Sequence, residues 1–119
     1  MKTMESFLIM FYILDQCFDY FPEESLGGFL GAISPELWED GQPVDRAILL
    51  DWEHISQPET ITKQNIAKKI CGFLEHYEKQ FGFNFAKTKQ QLCSQEADNF
   101  VVKAVKKTVE MYKRFGYLN

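Results

Sequence analysis

The sequence is poor in the residues that punctuate a chain. Its 119 residues include seven glycines and four prolines, too few for a sandwich or barrel of many short strands joined by sharp turns. Histidine, the usual acid–base and metal-binding side chain, occurs only as His54 and His76. Cysteine occurs as Cys17, Cys71 and Cys93, without the C-x-x-C spacing of zinc or redox motifs. Three widely spaced thiols in a chain with a real core suit a reducing compartment. The longest purely apolar run, residues 7–14, is eight residues long, against roughly 20 for a membrane span. Glu5 and Asp15 bracket it and no small-residue cleavage site follows, so it does not read as a signal peptide. The expectation is a cytoplasmic protein whose apolar N-terminal run is a buried helix.

What is present is a normal globular composition, 45% hydrophobic and 25% charged, with 15% aromatic residues. A chain of this length forms one domain and buries roughly two-thirds of its unfolded surface. Its apolar residues recur at three- and four-residue steps, the spacing of helices packed on a core. A first helix is expected over residues 3–20, with Phe7, Phe11, Leu14, Cys17, Phe18 and Phe21 as its stripe and Pro22 as its stop. A second runs over residues 23–33, opened by acids and carrying Gly27, Gly28 and Gly31. Glycines weaken a helix, and Gly27 and Gly31, four apart, predict a smooth face for close packing.

Residues 35–44 read as a turn-rich connector, with Pro35 opening a short helical turn through Trp38 and a turn at Asp40-Gly41. Asp45 is placed to cap a third helix over residues 46–55. Thr62 caps a fourth, with Ile61 and Ile66 spaced as a hydrophobic staple. That helix carries the stripe Ile66, Ile70, Phe73, Leu74, Tyr77 and Phe81 and stops at Gly82. A shorter helix follows from Asn84. Ser94 caps a last helix over residues 95–115, closed by Gly116, with Ala97, Phe100, Val101, Ala104, Val105, Thr108, Tyr112 and Phe115 facing inward. No segment reads convincingly as a strand. The expected fold is all-α, a single-domain bundle of about five to six helices.

No reaction is written in the chain. Asp51 and His54, three apart, make one half of a carboxylate–histidine metal pattern, and the bundle di-metal sites need more. Cys17 and Cys71 fall on apolar stripes, where free cysteine acts as a small hydrophobe. Cys93 precedes a helix start, a position that lowers a thiol pKa but is weak evidence by itself. There is no G-x-S-x-G elbow, and the glycines at 27, 28 and 31 lack the spacing, lysine and preceding strand of a phosphate loop. The expectation is a protein that is not an enzyme and needs no metal or cofactor.

Charge is the most informative feature. The net charge is −4, but residues 1–60 hold 12 acidic and two basic groups, whereas residues 61–119 hold five acidic and 11 basic ones. Lys103, Lys106, Lys107, Lys113 and Arg114 of the last helix have no interleaved aromatics on their polar face, and they read as a solvated face rather than a nucleic-acid or membrane site. The acids Glu36, Glu39, Asp40, Asp45, Asp51, Glu53 and Glu59 lie within 24 residues, with Arg46 the only base, beside Trp38 and Trp52. Such a stretch steers a basic partner, and tryptophan is a frequent anchor at interfaces. Taken singly, each tryptophan is expected to be core. The candidate partner-binding residues are Glu36, Trp38, Glu39, Asp40, Asp45, Asp51 and Glu53.

The strings Leu26-Gly27-Gly28-Phe29-Leu30-Gly31, Leu37-Trp38-Glu39-Asp40-Gly41-Gln42-Pro43-Val44-Asp45 and Asp51-Trp52, together with Phe73-Leu74-Glu75 and Tyr77, carry a resemblance. They resemble the small bacterial immunity proteins found beside secreted toxins in polymorphic-toxin and contact-dependent growth inhibition loci. That group shows a pattern like L-G-x-L-L, then L-x-D-G-x-P-x-D and D-W. The resemblance covers about residues 5–80 and leaves the tail from Phe83 without a counterpart. It implies a protein that neutralises a cognate toxin by covering its active site or an adjacent surface, with the acids mimicking phosphates where the toxin is a nuclease. The alternative is a non-catalytic helical adaptor or regulatory binding module.

Overall fold

The computed structural model describes residues 1–35, 46–56 and 60–115; for Ser56 and Phe115 it describes the backbone alone. Among these residues there are six helices and no strand: α1 (Thr3–Tyr20), α2 (Glu24–Ile33), α3 (Arg46–Ser56), α4 (Ile66–Phe81), α5 (Ala86–Leu92) and α6 (Ala97–Phe115). The all-α bundle expected from the periodicity is what the chain forms. No helix among the described residues is long and apolar enough to cross a membrane.

The middle of α1 is apolar all round, and it is buried all round. Ser6 to Met10 and Tyr12 to Leu14 are all buried, with Phe11 half-buried. A helix with no polar face must be covered on every side, and α1 packs against each of the other five helices. Its longest partner is α6, which runs antiparallel to it. Gln16 donates to the Phe100 carbonyl at 2.8 Å, and one end of Lys107 lies over the Tyr12 ring. Of the inward face expected for α6, Phe100, Val101, Ala104, Thr108 and Tyr112 are buried and Ala97 and Val105 half-buried; the Phe115 side chain lies outside the described residues.

On the other side of α1 an aromatic cluster joins α2, α3, α4 and α5. Phe29 meets Phe73, Tyr77 and Phe85 with ring centroids 5.4–5.8 Å apart. Trp52 meets Phe73 edge-on at 5.3 Å. Edge-to-face contacts of this kind add to the burial of the rings themselves.

Several helix ends are set by local chemistry. Thr62 Oγ1 accepts from the Asn65 amide at 3.3 Å, and Asn65 Oδ1 accepts from the Thr62 amide at 2.8 Å. This reciprocal box opens α4, and the Ile66 amide already bonds the Thr62 carbonyl in helical fashion. Ile61 and Ile66, flanking it, are both buried. Gly82 closes α4 at φ 73°, where other residues are strained. Ser94 Oγ accepts from the Glu96 amide before α6.

The seven-residue α5 is too short to be stable alone, and its first amides are satisfied from elsewhere in the chain. The Glu23 carboxylate accepts from the amides of Lys87 and Thr88 and from the Thr88 hydroxyl. The Phe85 amide bonds Glu78 at 2.8 Å, and Lys89 pairs with the same carboxylate at 2.6 Å.

Three apolar expectations need correction. Phe21 and Phe81, assigned to stripes, are 46% and 63% exposed. Phe21 lies past the end of α1, where helical spacing no longer governs its direction, and its ring meets Lys87. Phe81 occupies the last turn of α4 and stacks on Tyr77 instead of entering the core. The glycine face is the third. A Cβ on Gly27 would meet the Phe18 ring at 3.2 Å, but at Gly28 and Gly31 it would meet nothing, so close packing accounts for Gly27 alone.

Two measurements test this packing. Trp52→Phe removes ring volume from a fully buried site and the partner of Ser6 (2.9 Å from Trp52 Nε1); it should cost about 2–3 kcal/mol in urea unfolding. Glu78 titrates below its ordinary value of 4.5: burial pushes it up, but the Lys89 ammonium and the Phe85 amide outweigh that. A lowered folded pKa means that its stabilisation is complete above the unfolded value and is lost as pH falls through the folded one. Glu78→Gln should therefore flatten the acid limb of the stability–pH curve below about pH 5.

Candidate functional site

The site expected from the sequence divides at the boundary of the described residues. Glu36, Trp38, Glu39, Asp40 and Asp45 lie outside them, as do Glu59 and the rest of the helical turn opened by Pro35. Pro35 itself is buried. Asp51 and Glu53 are on α3, together with Trp52 and His54.

The third helix presents two faces of different character. Inward, Ile48 and Trp52 are buried, and the Trp52 indole donates to Ser6 Oγ at 2.9 Å. Ser6 in turn donates to the Thr3 carbonyl, so the pair is a satisfied polar link inside the core. Trp52 therefore anchors α3 to α1 and contributes nothing to a surface, as expected for it taken singly. Outward, Leu50 is 62% exposed and shares a shallow depression of about 400 Å³ with Asp51, Glu53 and His54. Glu53 and His54 are exposed; Asp51 is half-buried.

Asp51 belongs to both faces. Its Oδ2 accepts from the Tyr77 hydroxyl at 2.6 Å, and Tyr77 is buried on α4. The bond to an ionised acceptor is short and strong, and it fixes the rotation of α3 about its axis. Sequence reasoning placed Asp51 among the acids for a partner; the structure ties it to α4. The aromatic stripe of α4 was visible, but no spacing rule links residues 26 apart on two helices.

The acids of the first half divide in a second way. Asp15 and Asp19 of α1 share a cleft of about 310 Å³ with Lys103 and Lys107 of α6. There the acid half of the sequence meets the basic half. Asp15 is raised above its ordinary value, first by burial and then by Asp19, with Lys107 opposing. Among the described residues, no lysine or arginine lines the depression on α3. The lysines of α6, exposed as expected, face acids of their own chain on one side.

Among the described residues no group of three or more His, Cys, Asp or Glu side chains converges as a metal site. Asp51 and His54 share the α3 depression without further ligands there. The arrangement places the exposed Leu50 beside the side chains of Asp51, Glu53 and His54 on a helix tied to both α1 and α4.

Removing the α3–α4 link tests its role. Tyr77→Phe deletes the hydroxyl and leaves the half-buried Asp51 without that donor; it should cost about 1.5–3 kcal/mol in chemical unfolding, whereas Glu53→Gln, at an exposed position, should stay within about 0.5 kcal/mol.

No model of a known protein family matches the chain, and no curated protein and no solved structure is significantly similar to it.

Proposed function

We propose that the protein is an immunity protein, a non-catalytic inhibitor that binds a cognate bacterial toxin in the cytoplasm and neutralises it. The observation that carries this reading is the outer face of α3: Leu50 exposed among Asp51, Glu53 and His54, with no lysine or arginine among the described residues that line the depression. The motif strings over about residues 5–80 support it from the sequence side, as does the run of acids in residues 36–59.

The physical case rests on pre-organisation. Binding loses less free energy when the surface is already ordered, and α3 is ordered on two sides. Trp52 holds it to α1 and Asp51 holds it to α4. The acids speed encounter with a basic surface, while Leu50 supplies an apolar contact that water leaves on docking. A toxin with a basic substrate cleft, as in a nuclease, fits this pattern. Trp38, which precedes α3 in the chain, is the proposed aromatic anchor beside Glu36, Glu39, Asp40 and Asp45.

The experiment is co-expression with the product of the adjacent toxin gene. The two proteins should co-purify, and the growth defect caused by the toxin should disappear. Absence of both effects overturns the reading. On the complex, Glu53→Lys should slow association by about tenfold at low salt and flatten its salt dependence. Leu50→Ala should leave association unchanged and speed dissociation by about tenfold. Unchanged kinetics in both variants would place the interface away from α3.

A further inference from the structure

A cavity of about 470 Å³ lies between the first two turns of α1 and the second half of α6. Ile9 of α1 and Val105 and Val109 of α6 form its apolar walls. Thr108 and Tyr112 line it too, so the α6 contribution recurs at three- and four-residue steps along one helix face. The volume is within the range of small-molecule sites and far above what a single water needs.

Tyr112 is only 8% exposed, and its hydroxyl, itself buried, has no hydrogen-bond partner among the described residues. Buried polar groups are nearly always paired, and one left alone costs stability. The contrast within this core is direct. Thr108, in the same cavity wall, donates to the Ala104 carbonyl at 2.8 Å, and the buried Trp52 and Tyr77 each have a partner. A cavity with apolar walls and one unspent polar group is the usual make-up of a ligand site.

We propose that this cavity binds a small, neutral, apolar molecule whose ester or ketone carbonyl accepts a hydrogen bond from Tyr112. Ile9, Val105 and Val109 cover the apolar body, and Tyr112 fixes its orientation. The phenol keeps its proton at neutral pH, since burial and then the Glu5 carboxylate push its pKa up to about 12. Glu5 also lines the cavity, so an anionic head at the hydroxyl would meet a like charge. A neutral acceptor meets none. Glu5 is half-buried, and Val109 and Lys113, which share the lining, are exposed; rotation of these side chains admits the ligand without moving a helix. The cavity shares no residue with the α3 depression, and the inference does not depend on a toxin partner.

The test uses the full, isotope-labelled chain, amide NMR and methyl hexanoate as the ligand. The ester should shift residues 5–9 and 105–112, leave residues 46–56 in place, and saturate with a Kd of about 1 mM. Tyr112→Phe should weaken it by about tenfold, the worth of one hydrogen bond. Without ligand, the same variant should unfold at the same urea concentration as the unsubstituted protein or a higher one, because the hydroxyl it removes has no partner. Heptanoate, which has as many heavy atoms and a negative charge, should bind the unsubstituted protein about tenfold more weakly than the ester. The proposal is overturned if the ester leaves these residues unshifted, if it binds both proteins equally, or if heptanoate binds as tightly. A lower urea midpoint for Tyr112→Phe would also overturn it, by showing that an internal acceptor or an enclosed water already takes the hydroxyl proton.

Discussion

The need to bury α1 on all sides sets the rest of the fold. Residues 6–14 offer no polar face to water, with eight of the nine buried and Phe11 half-covered. A single partner helix covers one stripe of such a helix. Five are needed here, and each brings the narrower apolar face that its own sequence provides. The one polar side chain in the run, Ser6, is also the point where α3 is fastened, through the Trp52 indole. An apolar residue at position 6 would still pack, but it would leave the indole N–H buried without a partner. The core thus contains a satisfied polar link that fixes which residue of α3 faces inward.

Charge does similar work at the periphery. Glu23 stands before its own helix, yet its carboxylate caps α5, more than 60 residues away. Glu78 combines a backbone amide and a lysine on one side chain. These acids replace the stability that a seven-residue helix lacks. Asp15 and Asp19 meet the lysines of α6 in the cleft along α1. An acid surplus in one half of the sequence and a basic surplus in the other are therefore partly an internal arrangement.

Much of this was legible in the residues. Pro22 follows the end of α1, Thr62 stands before α4, Gly82 closes it, and Ser94 precedes α6, each a signal read within a few residues of the chain. The periodic faces of α4 and α6 were also clear, apart from the last turn of α4, where Phe81 escapes to stack on Tyr77. For α1 a stripe was expected where the helix is buried all round, because spacing identifies a face only when a polar face exists to contrast with it. What stayed hidden depends on distant partners. Glu23 reads as a local helix-start acid and Asp51 as a surface acid. Each acquires its role only when another helix arrives. Gly31 shows the reverse, a residue whose spacing suggested packing and whose surroundings are open.

The functional account reduces to one surface. If α3 is the docking element, its backbone amides are covered when the toxin binds, while the lysine face of α6 is not. Hydrogen–deuterium exchange of the free protein and of its complex with the toxin tests this most directly. The account predicts added protection concentrated in residues 46–56 and in the acidic stretch preceding them, with α6 unchanged. Protection confined to α6, with α3 exchanging as in the free protein, would contradict it.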